Sequence, residues 1–226
     1  MHLAPVHPLR HLAPIVENGA RWVAGAQRRF PAGSHVVALT FDDGPDPVYT
    51  PAILEVLREH DAVATFFMVG SRAERQPNLV RRVIEQGHAI GSHSTTHPSM
   101  WELSFRNAVQ EYRTARRVLE SIVGRSVPLF RPPNGSIIPT QALLIRLLRF
   151  QPWLWSIDPK DWEPGALPEG ILAALGDPGD GDVILLHDAI EKPIDDTAAN
   201  RSSTVDALPK IVNRVRQLGL RLALLK

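Results

Sequence analysis

The sequence predicts an α/β fold whose roughly seven parallel strands close into a barrel. Short runs of β-formers alternate with stretches of 3.6-residue apolar period roughly seven times, the pattern of successive βαβ units. No glycine-rich dinucleotide loop follows the first run. Asp42-Asp43-Gly44-Pro45 stands there instead, which favours a barrel over an open doubly wound sheet. The polar residues suited to chemistry fall just past the ends of the β-runs, the rim where the strands of a barrel converge.

Residues 1–34 read as an N-terminal extension to a domain spanning 35–226. Leu12, Ile15, Val16, Trp22 and Val23 can line a short helix, expected as a peripheral element on the outside of the domain rather than as a membrane-surface or partner helix. His2, His7 and His11 have no acidic companions at ligand spacing. Strand one is expected at 36–41, before a helix opened by Thr50-Pro51 with Ile53, Leu54 and Leu57 on one face. A second apolar run covers 63–69. Pro77 opens a helix that turns Leu79, Val80, Val83 and Ile84 inward and closes at Gly87.

Strand three is expected at 88–92. Phe105, Ala108, Val109, Tyr112, Leu119 and Ile122 then form a helical stripe. Strand four at 128–130 precedes a helix over 141–150, and strand five at 153–157 a helix near 169–175. Strand six is expected at 182–186. The last helix carries Val205, Leu208, Ile211, Val212, Val215 and Leu218, stops at Gly219, and leads to a final strand at 220–225.

Composition narrows the chemistry. At 226 residues, 44% hydrophobic and 22% charged, the chain suits one α/β domain with a sizeable core. A formal net charge of +1 gives no overall electrostatic footprint for nucleic acid, so none is expected as a partner. Without cysteine there are no disulfides, thiolate metal sites or thiol nucleophiles, and any metal must be held by His, Asp or Glu. No apolar run reaches the length of a transmembrane helix, so no integral membrane segment is expected. His7, Pro8, Arg10, His11 and Pro14 break up any signal-peptide core, and the expected location is cytoplasmic.

Asp42 and Asp43 follow strand one, His93 and His97 strand three, Arg131 strand four, Asp158 and Asp161 strand five, and His187 strand six. Two imidazoles four residues apart can be aimed at one cation by a helical turn or a tight loop. Asp43 completes a two-His, one-carboxylate set with open positions, a catalytic pattern for which zinc is the expected ion. The fork of Arg131 can hold Asp42 ionised, and the rigid Pro-Pro turn can present the Asn134 N–H to an oxyanion. The indoles of Trp155 and Trp162 can pack on sugar faces, and Asp161 within reach would keep His187 protonated as a general acid. Each motif also has a bland reading as a turn, a loop salt bridge, surface histidines or core. Their coincidence on one rim points to a site.

Thr40-Phe-Asp-Asp-Gly44, His93-Ser-Thr-Thr-His97, Arg131-Pro-Pro-Asn-Gly135, Asp158-Pro-Lys-Asp161-Trp162 and Leu185-Leu-His187, in that order, resemble the motifs of the polysaccharide deacetylases. These carry the NodB homology domain of carbohydrate esterase family four. The likeness covers about residues 35–226 and is nearest to the chito-oligosaccharide deacetylases. It implies a NodB-type distorted barrel, a divalent metal, usually zinc, and removal of N-acetyl groups from amino sugars. It further implies Asp42 as general base, Asp43, His93 and His97 as metal ligands, and Arg131 as the residue that positions the base. His187 would be the general acid with Asp161 its partner, and Asn134, Trp162, Leu185 and Pro133 would meet the substrate.

Many relatives carry Tyr where this chain has Asn134, so one pocket wall differs. The oxyanion role belongs to the backbone N–H and is kept. The implied partner is an N-acetylated amino sugar, with peptidoglycan, lipid-linked or secondary-metabolite N-acyl sugars as alternatives. A silent carbohydrate-binding protein would be expected to lack one of Asp42, Asp43, His93, His97 or His187, and all are present. Segment 188–203 is expected as a rim loop that sets specificity.

Overall fold

In the computed structural model, which describes residues 13–191 and 193–226, the central strand is β1 (Val36–Asp42). Residues 37–42 of this strand are all buried, which is why its sequence is a near-continuous apolar run rather than an alternating one. It pairs in parallel with β2 (Thr65–Met68) on one side and β6 (Val183–His187) on the other. The register sets Asp42 opposite both Phe67 and His187. Beyond β2 come β3 (Ala89–Ser92), β4 (Leu129–Phe130) and β5 (Gln151–Pro152), all parallel. A short β7 (Arg221–Leu222) pairs the start of β1.

The sheet returns on itself. Past β5 the chain runs to Ile157, which bridges Ile184 of β6, so the seven-stranded sheet curls into the expected distorted barrel. Around it lie α1 (Ala13–Ala24), α2 (Tyr49–Glu59), α3 (Gly70–Arg75), α4 (Pro77–Glu85) and α5 (Phe105–Val123). They continue with α6 (Pro139–Leu147), α7 (Pro168–Leu175), α8 (Asp196–Ala199) and α9 (Ser202–Gln217). Proline opens α4, α6 and α7, where a missing N–H costs nothing and φ is already helical. Ser104 caps α5 through Asn107 N–H at 3.2 Å, and Gly124 ends it in a left-handed turn.

The main core joins Leu39 and Phe41 of β1 to Ile53 and Leu57 of α2 and to Leu208 and Ile211 of α9. Each such side chain contributes at most about 1.5–3 kcal/mol by burial. Phe41 stacks on Phe66 with centroids 5.1 Å apart. No helix among the described residues is long and apolar enough to cross a membrane.

Four expectations need correction in detail. Strand five, expected over 153–157, forms its ladder at Gln151–Pro152, because Gln27 and Ile184 take Trp153 and Ile157 as isolated bridges. The last strand is confined to two residues. Leu225 N–H turns to Thr65 Oγ1 (3.2 Å) and Lys226 C=O accepts from Trp153 Nε1 (3.2 Å). Helix α3 lies outside the expected elements: its one and a half turns are too short to show a period. Trp22 and Val23 of α1 are exposed, because α1 packs on α6 through Ala20 and Ala24, which allow close approach. Leu12, His2, His7 and His11, and the side chains of Ile15 and Val16, lie outside the described residues. Ahead of residue 35, Phe30 N–H donates to Gly181 C=O (2.8 Å) and Arg29 bridges Asp182.

Candidate active site

At the C-terminal mouth, β1 delivers Asp42 in register with His187, and Asp43 then adopts a left-handed φ of 72°. That turn breaks the strand alternation, so both carboxylates line one cavity of about 320 Å³. Gly44 follows of necessity. A Cβ there would overlap an oxygen of the buried Asp188 carboxyl.

Asp43 Oδ1 lies 3.3 Å from His93 Nε2 and 3.4 Å from His97 Nε2. A tetrahedral ion with ligand bonds of ~2.0–2.1 Å has edges of ~3.3–3.4 Å, so both Asp43–His edges match a divalent ion, and the three donors all lie within 4.8 Å of one another. His93 Nδ1 is held by the Arg131 carbonyl at 2.7 Å, which leaves the Nε2 lone pair for a ligand. Asp43 Oδ2 accepts the Glu191 N–H at 2.8 Å, which leaves Oδ1 free for the same purpose. The histidines sit on a tight loop rather than a helix, with Ser94 and His97 left-handed. Glu111 of α5 fastens that loop by accepting from Thr95 N–H and Thr96 N–H at 2.9 Å each.

Burial works against the charge on Asp43, but the hydrogen bond and charge of His93 and the charges of His97 and His187 outweigh it. Its carboxyl is held far below the usual range. His93 is pushed down by burial, yet Asp42 and Asp43 prevail and raise it. His97 is lowered, by burial and then by the neighbouring His93.

Arg131, fully buried, spends its fork on four acceptors. Nη1 donates to Asp42 Oδ1 (2.7 Å) and Thr40 Oγ1 (2.8 Å), Nε to Trp153 C=O (3.0 Å), and Nη2 to Leu154 C=O (3.1 Å). Asp42 thus has one oxygen fixed, with Oδ2 3.8 Å from His93 Nε2. Further along the same motif, Asn134 sits in a 3-10 turn (Pro133–Gly135) with φ 55°, a left-handed conformation asparagine tolerates well. Among the described residues its N–H has no protein acceptor, and the residue lines the cavity. Pro133 is buried in the same turn and does not line the cavity, because the left-handed bend turns Asn134 outward in its place.

On the opposite side, His187 Nδ1 meets Asp161 Oδ1 at 2.8 Å, and His187 N–H donates to Asp161 Oδ2 at 2.9 Å. Thr204 of α9 donates to the same Oδ2 at 2.8 Å. Burial alone would lower the imidazole, but the charge and hydrogen bond of Asp161 outweigh it and push His187 up to about 9. Trp162 and Leu185 line the cavity beside it. Asp158 lines the cavity too, but its Oδ1 accepts from Lys160 N–H (2.9 Å) and Trp162 Nε1 (3.2 Å) and so sets the loop that carries the indole.

Residues 30–153 match the model of the polysaccharide deacetylase family. The chain belongs to that family. Among its members, a peptidoglycan-N-acetylglucosamine deacetylase of Bacillus cereus is 35% identical over 193 residues, 84% of this chain and 86% of the relative. A chitooligosaccharide deacetylase of Azorhizobium caulinodans is 35% identical over 204 residues, 88% of this chain and 97% of that one. A crystal structure of a peptidoglycan N-acetylglucosamine deacetylase superposes with a TM-score of 0.83 at 33% identity, covering 91% of this chain and 94% of the other. A family 4 acetyl xylan esterase from Clostridium thermocellum, in complex with a cobalt ion, gives a TM-score of 0.72 at 30% identity, with coverage of 84% and 87%.

In this polysaccharide deacetylase several supporting residues escape a reading of the sequence. Glu111 reads as one more polar position on an amphipathic helix. Glu191 acts on Asp43 through a backbone N–H that any residue would offer, and Arg72 holds Glu191 by an ion pair of 2.7 Å. Thr204 stands 43 positions from Asp161. Only Asp188 has a usable signal, its place directly after His187.

Proposed function

We propose that the chain is a zinc-dependent N-deacetylase acting on oligosaccharides of the N-acetylglucosamine type. One observation carries the reading. Two separately buttressed proton-handling groups, Asp42 on Arg131 and His187 on Asp161, share one cavity with the Asp43–His93–His97 donor set. Asp43, His93 and His97 would hold the ion. When bound, it supplies Lewis-acid polarisation of the amide carbonyl and makes water more acidic.

Asp42, held through Oδ1 by Arg131, takes the proton of the attacking water as the water oxygen bonds to the acetyl carbon. The Asn134 N–H donates to the oxygen that gains charge. An amine anion is a very poor leaving group, so His187 gives its proton to the sugar nitrogen as the C–N bond breaks. Acetate and a free amino sugar leave. Trp162 and Leu185 pack on the ring and orient it, and because Asn134 is smaller than Tyr that wall of the cavity is left more open.

The test is acetate release from chitin oligomers by zinc-loaded protein, with Asp42→Asn run alongside. Turnover should fall by roughly a hundred- to ten-thousandfold in the variant while zinc is retained. An Asp42→Asn protein that remains active would remove Asp42 from the role of base. Release only from peptidoglycan-derived sugars would keep the chemistry and change the substrate.

A further inference from the structure

Charge is distributed unevenly along this nearly neutral chain. Segments 18–41 and 121–157 contain seven arginines and no acidic residue, and all of these arginines but the buried, Asp42-paired Arg131 lie outside the active site. These two segments meet where α1 packs on α6. The outer surface of that pair exposes Trp22 at 83%, Leu147 at 66%, Leu143 at 56% and Val23 at 40%. Leu143 and Leu147 lie one turn apart on α6, and Arg146 between them donates to Val23 C=O at 3.2 Å, which ties the two apolar edges together. Arg28, Arg146 and Arg149 have no acidic partner among the described residues, whereas Arg21 pairs with Glu17 and Arg29 with Asp182.

We propose that the outer face of α1 and α6 docks on an anionic lipid surface. An exposed indole and leucines flanked by unpaired arginines match a bilayer interface, where the rings and aliphatic chains enter the headgroup boundary and the guanidiniums meet phosphate. Nucleic acid would account for the arginines but leaves Trp22, Leu143 and Leu147 without a role. A second copy of the chain would account for the apolar residues but would set like charges against one another.

The face also adjoins the cavity. Arg21 Nη2 donates to Gly135 C=O at 3.1 Å, and Glu17 accepts from Ser136, so α1 is pinned beside the Asn134 wall. Docking would therefore hold the mouth next to the headgroups. The inference stands independently of the deacetylase reading, because the binding measurement uses no sugar.

The experiment is co-sedimentation of the full chain with phosphatidylcholine vesicles, with and without phosphatidylglycerol. Binding should require phosphatidylglycerol and weaken with salt. Replacing Arg146 and Arg149 together by Ser should reduce partitioning roughly tenfold or more, since each cation near an anionic surface contributes severalfold. Trp22→Ser should reduce it as well, and both variants should keep wild-type turnover of soluble oligomers. Equal sedimentation with neutral vesicles, or none with anionic ones, would overturn the proposal. So would a dimer in light scattering that Trp22→Ser dissolves, or tight binding to a nucleic-acid duplex that Trp22→Ser leaves intact.

Discussion

His187 and Asp161 meet at two points, Nδ1 to Oδ1 at 2.8 Å and backbone N–H to Oδ2 at 2.9 Å. The carboxylate therefore fixes both the strand end and the ring it carries. Because the pair lifts the imidazole from 6.5 to about 9, its stabilisation is complete below pH 6.5 and is lost as pH rises through about 9. The proton of His187, the proposed donor, should persist over the same range. Asp161→Asn keeps an acceptor for the N–H but removes the charge, so the alkaline limb of the pH–rate profile should move from near 9 toward neutrality. A profile unchanged by Asp161→Asn would mean that Asp161 does not set the acid.

Arg131→Lys tests the fork. A lysine carries one nitrogen, which cannot reach Asp42, Thr40 and the carbonyls of Trp153 and Leu154 at once. Leaving buried acceptors unpaired should cost about 2–5 kcal/mol in urea unfolding. Activity should fall further than occupancy of the metal site, since Asp42 loses its fixed oxygen while the Arg131 backbone carbonyl still holds His93. Stability equal to wild type would show the fork to be dispensable.

Much of this is legible in the sequence, and the reasons differ by element. β1 and β6 can be read because strands buried on both faces must be runs of apolar residues, and the rim residues because each directly follows such a run. β5 and β7 cannot be bounded, because their partners come from Gln27, Thr65 and the C-terminus, far away in sequence. The inward face of α1 departs from expectation for a related reason. Helix–helix contact with α6 favours Ala20 and Ala24, and the larger Trp22 is turned outward. Pro133 shares its motif with Asn134, yet a single left-handed residue decides which of them meets the cavity.

Metal loading should release protons. In the metal-free protein Asp42 and Asp43 raise His93 above its ordinary 6.5 despite burial and so favour its protonated form, whereas a ligand must offer the Nε2 lone pair. Zinc added to metal-free protein in weak buffer near neutral pH should acidify the solution, and the apparent affinity should climb with pH. His93→Ala should abolish both the proton release and stoichiometric zinc in elemental analysis. Binding without proton release would contradict the upward shift of His93 in the metal-free protein.

Asp188 offers the opposite titration. It lies fully buried beneath Gly44, takes one hydrogen bond from Thr50, and has an Oδ1 with no partner. Burial pushes its carboxyl from 3.8 up to about 7, so the fold holds the neutral form, and this contribution is complete below 3.8 and lost as pH rises through about 7. Asp188→Asn is neutral at every pH and close in shape. With metal loading held constant, it should gain stability relative to wild type across that interval, as read by urea unfolding. Gly44→Ala should do the reverse at every pH, because its Cβ would overlap the same carboxyl, at a cost of about 1–3 kcal/mol. Truncating the carboxyl should relieve the overlap, so Gly44→Ala combined with Asp188→Ala should lose less than the two single variants together. Additive losses, or an Asp188→Asn protein with the wild-type pH slope, would show that Asp188 is not the buried neutral support of the Asp42–Asp43–Gly44 turn.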